Sequence, residues 1–264
     1  MLETSKQRRI ENIIVRKDAK VERTHANLLL ERTATINENI KGVITPLMFS
    51  LIVAVLSNNR LAWVLSTFAS FLTMIFSILL CFEVSNNSNI SYYLGNWPPP
   101  LGIEYVIDKV SIIPIMIVSV IGFIATLYAH NFFILEIDKN LVSKTYSLWL
   151  LTIAGLMGLI TTADAFNLFV FLEISSLSAV ALVALGSKMD RKALIAGYNY
   201  LILGAVGATF YVIGVGLLYG VTGTLNMSDL AQKIPALGQN KSVIVAFTFM
   251  MLGIMVKAAV FPLH

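Results

Sequence analysis

The sequence is poor in charge, in histidine and in cysteine. Only 13% of its 264 residues are Asp, Glu, Lys or Arg, where soluble domains carry ~25%. The single cysteine, Cys81, excludes an internal disulfide and any cysteine cluster. The three histidines, His25, His130 and His264, are far apart and lack ligand spacing. No metal site, no haem and no other cofactor is expected, and no catalytic residue of a covalent chemistry stands out. An apolar h-region after the first basic residues is also missing, which argues against a cleaved signal peptide.

What is present is apolar. Hydrophobic residues make up 57% of the chain, above the ~45–50% of soluble domains. They fall in long continuous runs. A membrane helix needs ~20 such residues, and lipid admits only helices or closed barrels. The runs lack strict alternation, so helices are expected. Seven candidates appear: Val43 to Leu56, Leu61 to Phe82, Val110 to Ala129, Tyr146 to Thr161, Ala165 to Gly186, Tyr198 to Tyr219, and Ser242 to Leu263. The expected fold is an all-α membrane bundle of about seven transmembrane helices, the seventh discontinuous. The bilayer is its solvent and the cytoplasmic (inner) membrane its expected location.

Residues 1–41 differ from the rest. They hold nine of the 19 Lys and Arg and six of the 15 acids. This reads as a polar charged tail before a transmembrane domain at 42–264. Its mixed signs and lack of a recognisable motif argue against nucleic acid. In the body, Arg60, Lys139, Lys144, Lys188, Arg191 and Lys192 collect on one side. The positive-inside rule places that side in the cytoplasm. The basic tail then falls outside, and long segments weigh less in that rule. The loop at 83–109 contains Trp97-Pro98-Pro99-Pro100, an extended run that cannot enter a helix.

Two ionisable residues lie inside apolar runs, where charge is costly and function is the default expectation. Glu173 follows Asp164 by nine residues. That is about 13 Å of helix, near the middle of a ~30 Å core. Ser176 shares its face. A protonated carboxyl that merely glues helices is the plainer alternative. Lys257 lies 15 residues after Ser242, roughly 22 Å along its helix. Pro262 frees the carbonyl of Ala258, so the helix should kink or break just after Lys257. Broken helices with a charge at the break are typical of transporter sites. His264 would share the face of Lys257 if the helix continued, and histidine titrates near neutrality. Asp164 reads as an N-cap, and Asp108 as an interfacial cap. Gly204 and Ala208 form a small-xxx-small packing pair. Gly214-Val215-Gly216 is not a dinucleotide loop, since no strand-turn-helix unit surrounds it.

The run Asp164-Ala165-Phe166-Asn167-Leu168-Phe169-Val170-Phe171-Leu172-Glu173 resembles helix five of the antiporter-like subunits. These occur in multisubunit cation/proton antiporters, respiratory complex I and membrane-bound hydrogenases. Val256-Lys257-Ala258-Ala259-Val260-Phe261-Pro262-Leu263-His264 resembles their broken seventh helix. Tyr200 through Ala231 is similar to the helix and loop between. Gly95 through Ile103, followed by Asp108, looks most like the D subunit of the sodium/proton antiporter.

The resemblance covers about 42–264 and implies a proton-gating pair at Glu173 and Lys257, with His264 as a further relay candidate. It implies an ion-translocating subunit with no catalytic site of its own, working with other membrane subunits on protons and a monovalent cation such as Na+. A proton-pumping subunit of a quinone-reducing or hydrogenase complex is the alternative within the superfamily. Family members have about fourteen helices, so the apolar end at Phe261-Pro262-Leu263-His264 reads as a truncated frame, a split gene or a fragment. A non-transporting remnant or assembly element is the third expectation.

Overall fold

A computed structural model describes residues 41–86, 89–186, 192–238 and 240–261, with backbone only at 96 and 134. The polar tail at 1–40, Pro262 and His264 lie outside the described residues.

The chain is a multi-pass membrane protein. Five helices among the described residues are long and apolar enough to cross a bilayer: α2 (Asn59–Asn86), α3 (Ile112–Glu136), α4 (Val142–Thr161), α5 (Ala165–Leu185) and α6 (Lys192–Thr222). Helix α1 (Lys41–Val55) is apolar but shorter. After α6 comes α7 (Met227–Ala236), then α8 (Lys241–Lys257). Five of the seven expected spans are thus found among the described residues. Among the described residues α1 has 15 residues and α8 has 17.

The expected all-α description needs one amendment. Part of the long loop is a hairpin, with β1 (Asn89–Tyr93) antiparallel to β2 (Glu104–Asp108). Its register runs from Asn89↔Asp108 to Tyr93↔Glu104.

Small residues set the helix crossings. Lipid tails are as apolar as leucine, so close van der Waals packing and hydroxyl bonds draw membrane helices together. A Cβ on Gly155 of α4 would stand 2.8 Å from the backbone nitrogen of Ser175 on α5. One on Gly158 would collide with the Phe171 ring. Thr152 Oγ1 donates to Ser178 Oγ across the same seam at 2.9 Å. Between α6 and α8 backbone approaches backbone. A Cβ on Gly253 would meet the Gly207 carbonyl at 2.6 Å, and one on Gly214 would meet the Ala246 carbonyl at 2.6 Å. The small-residue pair expected at Gly204 and Ala208 is therefore only part of that surface.

Helix α2 turns a polar face inward. Ala62, Ser66, Ala69, Ser70, Thr73 and Ser77 are buried, at the three- and four-residue spacing of one helix face. Leu61, Val64, Phe68, Phe71, Leu79 and Phe82 are exposed, as lipid-facing residues must be.

Capping side chains close the helix ends. Asp164 Oδ1 accepts from the Asn167 backbone N–H at 2.7 Å, at the start of α5. Asn226 and Asn240 do the same for α7 and α8. One end of the bundle is tied by Asn59 Nδ2 donating to the Lys139 carbonyl at 2.9 Å. This joins the first turn of α2, which carries Arg60, to the loop that carries Lys139.

Candidate functional site

The site is built from three helices. Helix α5 begins at its Asp164 cap, and Glu173 lies eight residues beyond Ala165, about 12 Å down the helix. Helix α8 presents Lys257 as its last helical residue. Lys257 Nζ donates to Glu173 Oε1 at 2.7 Å and to Ser176 Oγ at 2.7 Å. The lysine side chain is 9% exposed and the glutamate 25%. Gly204 of α6 backs the pair, since a Cβ there would stand 3.7 Å from Lys257 Nζ. A larger side chain at 204 would crowd the ammonium.

Helix α8 breaks where the lysine sits. The Val260 N–H donates to the Met255 carbonyl at 3.0 Å, and the Ala259 N–H to the Val256 carbonyl at 3.1 Å. This pair of bonds is a Schellman ending. Its C′ residue, Ala259, takes φ 49°, a left-handed conformation ordinarily left to glycine. The break expected after Lys257 coincides with this capped helix end, and the second half of a discontinuous helix would lie beyond the described residues. Pro262, whose missing N–H suggested it, falls outside the described residues.

At the N-terminal end of α5 the loops interlock. The Ala165 N–H donates to the Leu225 carbonyl at 2.9 Å, and the Met227 N–H to the Ala163 carbonyl at 2.8 Å. The Ala163 N–H reaches the Glu104 carbonyl at 2.9 Å. Glu104 is buried, and its Oε2 accepts from Asn226 Nδ2 at 2.7 Å. Asn167 Nδ2 donates to Tyr105 Oη at 3.2 Å and to Thr162 Oγ1 at 3.0 Å. Tyr211 Oη donates to the Ala165 carbonyl at 3.1 Å. Burial pushes the Asp164 carboxyl above the usual range, partly offset by the N–H groups it caps. Burial likewise raises the Tyr105 phenol.

The sequence singled out Glu173, Lys257, Asp164, Gly204, Pro262 and His264. The structure brings Glu173, Lys257 and Gly204 together and sets Asp164 at the α5 cap. His264 lies outside the described residues. Glu104 and Asn226 were missed, because 122 residues separate them. Glu104 lies in a polar loop and carries no local signal of burial. No group of His, Cys, Asp and Glu among the described residues could hold a metal ion.

A membrane bundle with an acid–base pair at a capped helix break is a transporter-like architecture. Residues 162–264 match the family model described as NADH:quinone oxidoreductase/Mrp antiporter, transmembrane. The N subunit of the NADH-quinone oxidoreductase of Desulforudis audaxviator is 46% identical over 173 residues, which cover 66% of this chain and 34% of that protein. The D subunit of the Na+/H+ antiporter of Bacillus subtilis is 32% identical over 227 residues, covering 84% of this chain and 45% of that protein.

Among solved structures, an archaeal membrane-bound sulfane sulfur reductase aligns with TM-score 0.79 at 31% identity, over 87% of this chain and 46% of that one. The Mrp complex of Dietzia sp. aligns with TM-score 0.72 at 26% identity, over 86% and 42%. The chain belongs to the antiporter-like subunit superfamily shared by Mrp antiporters and respiratory complex I. It spans less than half the length of these curated relatives.

Proposed function

We propose that this chain is part of an ion-translocating membrane subunit of a multisubunit cation/proton antiporter, in the cytoplasmic membrane. Protons would pass through the Glu173–Lys257 pair. One observation carries the reading: an ammonium and a carboxylate 2.7 Å apart inside the membrane, at a broken helix end. Charges so placed are costly, and they endure where ions or protons move. Loading a proton on Glu173 would weaken its hold on the ammonium. Lys257 could then turn from Glu173 toward another acceptor. Ser176 keeps one bond to the ammonium through that change.

Similarity to an antiporter D subunit over most of the chain favours exchange of protons against a monovalent cation such as Na+. Other membrane subunits would be its partners. The test is a Glu173→Ala variant in the complete assembly, assayed in inside-out vesicles. Exchange of Na+ driven by a pH gradient should fall to the level of vesicles lacking the subunit. Exchange at the wild-type rate would overturn the reading.

A second reading has its own support. Identity of 46% with a subunit of NADH-quinone oxidoreductase favours a proton-pumping role in a quinone-reducing complex. Neighbouring genes for flavin and iron–sulfur subunits would decide for it. Genes for small antiporter subunits would decide against it.

A further inference from the structure

The buried face of α2 meets α3 and α4 far from Glu173. Ser70 Oγ lies 3.1 Å from Thr126 Oγ1, and Trp149 Nε1 donates to the same Thr126 oxygen at 2.8 Å. These three residues, from α2, α3 and α4, form one layer. Farther outward, Thr73 and Ser77 donate to the carbonyls of Ala69 and Thr73, each at 2.9 Å. This part of the stripe is satisfied.

One turn inward the situation reverses. Successive helices run antiparallel, so the next layer is reached four residues before Ser70, four after Thr126 and three before Trp149. These positions are Ser66, His130 and Tyr146. Ser66 Oγ, His130 Nδ1 and Tyr146 Oη are all buried atoms with no hydrogen-bond partner among the described residues. Ser66 and Tyr146 are 0% exposed. Trp63, whose ring centroid lies 4.3 Å from that of His130, contributes a fourth such atom, Nε1. Trp63 and Tyr146 belong to the same packed cluster. Buried polar atoms are rarely left unpaired. Several at one level of the bundle, as donors and acceptors both, match the needs of bound water, which takes ~3 hydrogen bonds in a protein interior.

We propose that Ser66, His130, Tyr146 and Trp63 enclose a small cluster of bound water between α2, α3 and α4, near the end of the bundle that carries Arg60 and Lys139. Toward the other end of α2, Thr73 and Ser77 each donate to a backbone carbonyl and leave no unpartnered hydroxyl.

Radiolytic hydroxyl-radical labelling in native membranes tests this, since buried side chains oxidise where water is bound beside them. Tyr146 and Tyr211 make a matched pair. Both are buried, but Tyr211 Oη is bonded to the Ala165 carbonyl. Tyr146 should label several-fold faster than Tyr211. A Ser66→Leu variant that fills the layer should bring Tyr146 down to the Tyr211 rate. Equal labelling of the two tyrosines in the wild-type protein overturns the proposal. So does fast labelling of Tyr146 that persists in a folded Ser66→Leu variant.

Discussion

Lys257 Nζ stands as close to Ser176 Oγ as to the Glu173 carboxylate, 2.7 Å in each case. Ser176 lies three residues after Glu173, so one face of α5 offers the ammonium a charged partner and a neutral one. The neutral partner cannot be lost by protonation.

Ser176→Ala removes one hydrogen bond to a charged group, worth about 1.5–3 kcal/mol. If the pair carries protons, cation exchange in vesicles should slow by roughly 10- to 100-fold, and Ser176→Thr should recover most of the rate. An unchanged rate in the alanine variant would remove Ser176 from the proton path.

Ala259 holds a left-handed conformation that costs a non-glycine residue roughly 1–2 kcal/mol. Ala259→Gly should raise the thermal midpoint of the detergent-solubilised protein. Ala259→Val should lower it, because β-branching crowds that conformation further. Identical midpoints for all three would mean that the turn after Lys257 is not held at φ 49°.

The α6–α8 seam is closed by glycine. A Cβ on Gly253 would stand 2.6 Å from the Gly207 carbonyl and 2.7 Å from the Tyr211 nitrogen, closer than real contacts allow. Gly253→Ala should destabilise by about 1–3 kcal/mol, as overpacking does. Gly216, with nothing near its Cβ position, should accept alanine without loss. Comparing the two thermal midpoints isolates the crossing from a general effect of removing glycine.

Two carboxylates outside the spans should respond oppositely to pH. Asp108 is held below its usual range, chiefly by the Ser111 backbone N–H and then by its hydroxyl. Its contribution is present above the unfolded value, about pH 4, and is lost as pH falls through the lower folded value. Asp164 is raised by burial. The folded state then binds its proton more tightly, and stability falls as pH climbs from the unfolded value through the folded one. An Asp108→Asn variant should lose less stability on acidification than wild type. Asp164→Asn, which keeps a capping oxygen, should lose less stability as pH rises through that window. Thermal midpoints in detergent across the acidic range would check both signs.

Glu104 and Asn226 give a further test. Asn226→Ala removes a cap on α7 and strips Glu104 of its 2.7 Å partner. A buried carboxylate loses more than a neutral group when left unpaired, and about 1.5–3 kcal/mol is expected. Glu104→Gln in the wild-type background should cost less, because the amide oxygen still accepts.

Membrane residence, the cores of α2 to α6, and the candidate pair Glu173 and Lys257 were legible from the residues alone. Apolar run length against bilayer thickness is a one-dimensional quantity, and a charge in such a run is conspicuous. The helix break after Lys257 was also expected, although from Pro262 and not from the Ala259 turn. The hairpin at 89–108 was not legible, since its strands sit in a polar loop without clean alternation. Nor was α7, whose ten residues are too few for a span.

Tertiary structure alone decided which small residues matter. Sixteen glycines are present, and nothing local separates Gly253, which meets Gly207, from Gly216, which meets nothing. Partner and crossing angle make that choice. The same holds for the serines of α2: Ser70 finds Thr126, while Ser66 has no partner among the described residues. Depth along a helix can be read from sequence, but which face meets which neighbour follows from packing between segments distant in the chain.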